Sequence, residues 1–177
     1  MNSNPAQVLL EIPPFRDAFR LQATTLTEFY RMASEIAGSG CPLGTPPADQ
    51  QDVQRNFFST FFLGCTRCLV NADRFMPLYA MVNQCMRAWV TACDNILDDE
   101  YKEIFRFDIA GQGQRTRSVL TLMLADRVLT RFILDRYEDA GLLRRAGVLS
   151  LAALLPSALQ ECEEESRPVP VLPPEQV

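Results

Sequence analysis

Asp94-Asn-Ile-Leu-Asp98-Asp99-Glu100 sets four acidic side chains within seven residues, close to the end of a long apolar segment. On a helix, Asp94 and Asp98 stand one turn apart on the same face, while Asp99 and Glu100 swing away around it. Two carboxylates projecting from a rigid element can hold a hard divalent cation. Mg²⁺ takes oxygen ligands, uses one or two carboxylates, and completes its shell with water and phosphate oxygens. The spacing therefore suggests a magnesium–diphosphate site built on the stacked Asp94 and Asp98. The plainer use of such a cluster is a solvated acidic face. Two local features weigh against it. Negative charge near a helix C-terminus opposes the macrodipole, and Asp99 and Glu103 form a like-charge pair at four residues, which costs roughly 0.2–0.5 kcal/mol. Lys102, four residues after Asp98, offsets part of this.

The element that must carry these groups is a helix predicted from Pro77 to about Glu103. Leu78, Met81, Val82, Cys85, Trp89, Ala92, Cys93 and Ile96 share one face of it. Pro77 suits its first position, and ~27 residues give ~40 Å at 1.5 Å per residue. Asp94 and Asp98 lie almost opposite that apolar stripe, in line with Asn83 and Arg87, with Val90 one turn before Asp94. This second face either lines a polar-mouthed cavity or faces water.

Residues 1–13 read as a loose arm, and residues 14–36 as a helix with Phe15, Phe19, Leu26, Phe29, Tyr30 and Ala33 at helical spacing. The glycine- and proline-rich stretch 38–48 is a loop. Asp49 is a candidate cap for a helix from Gln50 to about Leu69. There Phe57 and Phe61, and Phe58 and Phe62, stack at four residues into an apolar wall whose expected use is core packing. Gly111-Gln-Gly113 with Arg115 and Arg117 forms a loop, and Thr116 or Arg117 opens a helix running to near Gly141. A last helix from Leu142 to about Glu163 contains Pro156, which should kink it. The acidic, proline-rich tail 161–177 has no core-forming pattern and reads as disordered. With no alternating strand and no internal repeat, the fold class is all-α, a helical bundle over residues 14–160.

A chain of 177 residues with 47% apolar content suits one domain with a substantial core. The start lacks the basic region of a secretory signal. The longest apolar stretch, Ala146 to Leu155, ends at Pro156 well short of a membrane span. A cytoplasmic protein with no transmembrane segment is expected. Of the net charge of −5, the tail with five Glu and one Arg carries −4 and the rest only −1. A nearly neutral body gives no support for nucleic-acid binding. Its cations are sixteen Arg against one Lys. Arg grips diphosphate in a bidentate fork better than Lys, although arginine-rich coding would give the same count. The six cysteines, at 41, 65, 68, 85, 93 and 162, are expected to be mostly small buried hydrophobes. Cys65-Thr-Arg-Cys68 falls inside a helix and has no second CxxC. With no histidine in the chain, ordinary triads and His–metal sites are excluded.

Long helices together with DNILDDE resemble the first aspartate-rich motif of class I isoprenoid synthases, the all-α family of trans-prenyl diphosphate, squalene/phytoene and terpene synthases. The family writes this motif DDxxD or DxxxD. Asp94 matches its first aspartate, Asn95 replaces the second, and Asp98 and Asp99 match the closing pair. The resemblance covers residues 50–140 and implies the first half of that fold. It implies Mg²⁺ as cofactor and a prenyl diphosphate as substrate, ionised at its allylic carbon by a transferase or diphosphate lyase. Asp94 and Asp98 would be ligands, with Asp99 or Asn95 behind them or alternating with them. Val90 and Trp89 fall where family members set the depth of the prenyl pocket, and Arg87, Arg115 and Arg117 are candidate substrate contacts. The family's second metal motif has no counterpart. Asp135-Arg-Tyr-Glu138-Asp139, the nearest acidic group, reads as an exposed helix end. A second chain, or a copy of this one, is therefore expected to complete the site. The alternative is a non-catalytic helical-bundle interaction or accessory subunit.

Overall fold

In the computed structural model, residues 5–46, 55–69, 73–98, 101–108, 111, 113–137, 139–149, 152 and 156 are described. The helices are the short α1 (Pro5–Leu10) and the longer α2 (Pro13–Ala37), α3 (Phe57–Leu69), α4 (Met76–Leu97) and α5 (Gln114–Tyr137). The chain divides into two compact units, residues 1–138 and 139–177, and all five helices belong to the first. The fold is an all-α bundle. Among the described residues the one β pairing is an isolated bridge between Leu43 and Phe107.

Prolines and glycines end the helices where local sterics require it. α2 opens on Pro13 and Pro14, whose fixed φ suits a first turn. It closes at Gly38, where φ of 58° is one that side-chain-bearing residues avoid. Its inward face repeats at helical spacing: Ala18, Gln22, Leu26, Phe29, Met32 and Ala33 are all buried. α2 and α4 each pack against both α3 and α5 and against one another. They form the centre of the bundle, with α3 and α5 flanking them on opposite sides. α4 and α5 run antiparallel: the Trp89 indole donates to the Leu122 carbonyl at 3.3 Å, and Phe75 stacks on Tyr137 with ring centroids 6.0 Å apart.

Where α2 meets α3, Gly64 has no room for a side chain. A Cβ there would lie 2.3 Å from the Phe15 ring, which also stacks on Phe61. Where α2 meets α4, Gln22 donates to Gln84 at 3.1 Å inside the core. The remaining amide groups, Gln22 Oε1 and Gln84 Nε2, have no partner. Leaving these two buried polar atoms unsatisfied costs stability.

α4 is shorter than predicted. It ends at Leu97 with Asp98 as its cap, six residues before Glu103. Asn95 supplies the reason. Its side chain is buried, accepts the Lys102 N–H at 2.7 Å and donates to the Lys102 carbonyl at 3.0 Å. The chain is thereby folded back on itself, and residues 101–108 leave helical geometry. With α4 ended at Leu97, Asp98 and Lys102 no longer share one helix, and the predicted Asp99–Glu103 pair involves Asp99, which lies outside the described residues. The released segment plugs the bundle instead. Phe105 stacks on Phe29 with centroids 5.0 Å apart, and Tyr30 donates to the Ile104 carbonyl at 3.0 Å. Each fully buried ring contributes roughly 1.5–3 kcal/mol.

Residues 5–10, read from the sequence as part of a loose arm, are helical. The proposed Asp49 cap and residues 50–54 lie outside the described residues. In the second unit, the Leu142 N–H donates to Asp139 Oδ1 at 2.9 Å and caps the helical run 140–149. Beyond residue 149 only 152 and 156 are described, so the predicted kink and the tail lie outside. No helix among the described residues is long and apolar enough to cross a membrane.

Candidate functional site: an acidic helix end beside an aromatic groove

Asp94 and Asp98 keep their predicted relation although the helix ends there. The Asp98 N–H donates to the Asp94 carbonyl at 2.8 Å, the last hydrogen bond of α4. The two carboxylates thus stand one turn apart, Asp94 half-buried and Asp98 exposed. The last turn of α4 contains no basic residue. Asp99 and Glu100 lie outside the described residues. No group of three or more His, Cys, Asp or Glu side chains suited to a metal occurs among the described residues. That count is no bar to Mg²⁺, which draws most of its shell from water and phosphate. An oxygen-only pair, facing outward at a helix end whose partial charge is itself negative, fits a hard cation. Asn95 does not fit the ligand role, because both ends of its amide are committed to Lys102.

One turn before Asp94, Val90 lines an open groove of about 660 Å³ between α3 and α4. Phe58, Phe61, Phe62 and Met86 make its apolar walls, and Asn83, Arg55 and Arg87 its polar margin. The sequence left open whether the Asn83–Arg87–Asp94 face lines a cavity or meets water; its Asn83–Val90 part lines this groove. Arg87 is held in place by donating to Asn56 Oδ1 at 2.9 Å. Asn83 Nδ2 is screened from solvent and has no hydrogen-bond partner.

Of the remaining predicted contacts, Trp89 points toward α5 through its bond to Leu122 and does not line the groove. Arg115 and Arg117 lie in the first turn of α5, which opens at Gln114 rather than at Thr116 or Arg117. Because α4 and α5 are antiparallel, this turn is at the same end of the bundle as Asp94 and Asp98. Burial lifts the Tyr101 hydroxyl above its ordinary range, and a hydrogen bond from Arg117 pulls it partly back. Burial also raises the Cys93 thiol, with the neighbouring Asp94 charge adding to it. Asp135 and Asp139 have structural uses: Asp135 pairs with Arg131 at 3.2 Å, and Asp139 caps the next helix.

Two expectations are corrected. The phenylalanine wall is not core: Phe58 is 84% exposed, Phe62 53% and Phe61 43%. Among the described cysteines only Cys85 is buried, while Cys68 and Cys93 are exposed and Cys41 and Cys65 intermediate. One sequence signal for the exposed wall was available. Ser59, Thr60 and Gly64, the small residues of α3, share the face that must approach α2 closely, which sends Phe58 and Phe62 outward.

No family model, characterised protein or solved structure matches the chain.

Proposed function

We propose that this chain is a Mg²⁺-dependent, prenyl diphosphate-binding component of the class I isoprenoid synthase type, completed by a second chain or segment. The observation that carries the reading is the continuous line Val90–Asp94–Asp98, which joins an aromatic groove to an acidic helix end. An amphiphile with an apolar chain and an anionic head matches that line. Asp94 and Asp98 would hold the metal, and the bound cation would draw charge from a diphosphate leaving group. Arg87, fixed by Asn56, stands at the groove margin about two turns of α4 before Asp94. Arg115 and Arg117, with the N-terminus of α5, add positive potential at the same end of the bundle. The walls formed by Phe58, Phe62, Met86 and Val90 suit one side of a hydrocarbon chain laid in the open groove. Ionisation would break the allylic C–O bond, with the electron pair leaving on the diphosphate.

The thermal unfolding midpoint of the chain should rise when Mg²⁺ and a non-hydrolysable prenyl diphosphate analogue are added together. Asp94→Ala/Asp98→Ala should abolish the change. A response that survives in that variant, or without Mg²⁺, would overturn the assignment. The outward aromatic residues of α3 favour a second reading, a non-catalytic bundle that binds other helices. On that reading the double variant leaves partner binding intact and stability equal or slightly higher.

A further inference from the structure

Between α2 and α5 lies a cleft of about 260 Å³ that shares no residue with the groove between α3 and α4. Ile36 and Ala37, in the last turn of α2, form one wall. Leu120, Leu124 and Arg127 form another, at i, i+4 and i+7 on a single face of α5. Phe107 is the third, and its neighbours fix it in place. The Gly44 N–H donates to the Arg106 carbonyl at 2.7 Å and the Asp108 N–H to the Pro42 carbonyl at 2.9 Å, on either side of the bridge to Leu43. Met123 also lines the cleft and is 60% exposed, so an occupant would cover apolar surface that the bundle itself leaves open.

Arg127 is the one charged group in this lining; the neighbouring Asp126 is not part of it. Arg127 makes no ion pair or hydrogen bond among the described residues. Arg131 and Arg136, further along α5, are both paired, with Glu35 and Glu28. Glu35, whose charge would oppose an anion here, is held by both Arg31 and Arg131. We propose that the cleft binds an apolar monocarboxylate the size of octanoate, its carboxylate on Arg127 and its chain along Leu124 and Leu120. The size follows from the volume. A cavity of ~150 Å³ holds benzene, so 260 Å³ admits about ten non-hydrogen atoms. The length follows from the helix: Leu120 and Arg127 are seven residues apart, ~10 Å at 1.5 Å per residue, which suits an extended medium-chain acid. The head group follows from the charge. A guanidinium fork meets one carboxylate with two parallel hydrogen bonds, and no second cation lines the cleft to balance a phosphate. This site is separate from the magnesium–diphosphate reading and stands without it.

Three thiols report where a ligand sits. Cys41 lines this cleft, Cys65 lines the groove between α3 and α4, and Cys68 is exposed outside both. Their rates of alkylation by N-ethylmaleimide can be resolved by peptide mass mapping of the full chain, with neither Mg²⁺ nor diphosphate present. Sodium octanoate should slow Cys41 saturably and leave Cys65 and Cys68 unchanged. Octanol, which lacks the charge, should require at least ~10-fold more for the same protection. Arg127→Gln should weaken octanoate by a similar factor without changing octanol, and Arg127→Glu should shift the preference to octylamine. Arg127 is exposed, so these variants leave the core intact. Ala37→Phe fills the cleft while keeping Arg127 and should abolish protection by every probe, with far-ultraviolet circular dichroism verifying helix content. An unprotected Cys41 in the wild type, or equal protection at Cys65 or Cys68, would overturn the proposal. So would octanoate binding that is indifferent to Arg127→Gln.

Discussion

α3 and α5 flank the same central pair of helices from opposite sides, yet they meet solvent differently. α5 turns Arg127, Asp135 and Arg136 outward and ties itself to α2 through Arg131–Glu35 at 3.0 Å and Arg136–Glu28 at 3.7 Å. Those exposed pairs contribute little individually, on the order of 0–1 kcal/mol, and they share the outer face of α5 with the exposed Val119, Met123 and Leu134. α3 turns Phe58, Phe62 and Leu69 outward. Identical residue types thus have opposite roles. Phe132 of α5 is 2% exposed and belongs to the core, whereas Phe58 of α3 contributes nothing to the core of its own bundle. Type alone does not assign a phenylalanine to the interior; what the opposite face of its helix must accommodate decides it.

The sharpest way to break this comparison is truncation on both sides. Phe132→Ala should cost about 3–5 kcal/mol, while Phe58→Ala should change the stability of the isolated bundle by less than ~0.5 kcal/mol. Urea unfolding of both variants at a concentration too low for self-association measures the contrast, and equal losses would dissolve it. Next in size is Gly64→Ala. The added methyl meets the Phe15 ring, which is stacked on Phe61, and the expected loss is about 1–3 kcal/mol. A neutral result would mean that α3 sits less closely on α2 than its small-residue face requires. At the α2–α4 contact, Gln84→Leu alone should cost about 1–3 kcal/mol by stranding Gln22, whereas Gln22→Leu/Gln84→Leu should recover most of it.

The smallest effect concerns pH. Burial, helped by the Asp126 charge, raises the Cys85 thiol well above its ordinary value of 9.0. The folded state therefore keeps a proton that the unfolded state releases. The stability this contributes is fully present below pH 9.0 and is lost progressively as pH rises above it. Urea midpoints should fall in that alkaline range, and Cys85→Ala should flatten the fall.

Much of the fold was legible in the sequence. The periodic stripes of α2 and α4 are one-sided, so their type and inward faces follow directly. The end of α4 was not legible. Apolar periodicity continues past Leu97, and the break comes from one buried Asn95 side chain gripping a backbone seven residues on, a contact that propensity does not encode. α3 was misread because its large apolar residues, Phe58, Phe61 and Phe62, face outward, while the covered face is built from the small Ser59, Thr60 and Gly64 with Leu63. For the site, the relation of Asp94 to Asp98 is a property of helix geometry and carried over intact. The groove beside them was not visible, because it depends on how α3 and α4 pack.

The central claim, that the acidic end of α4 and the adjoining groove bind the two halves of one amphiphile, is tested most directly by titration calorimetry. The wild type should bind a non-hydrolysable prenyl diphosphate analogue only with Mg²⁺. Asp94→Ala/Asp98→Ala should lose that binding. Val90→Glu should retain Mg²⁺-dependent binding of inorganic diphosphate while losing the prenyl analogue. Binding of the analogue that is indifferent to Mg²⁺, or to the loss of both aspartates, would contradict the account.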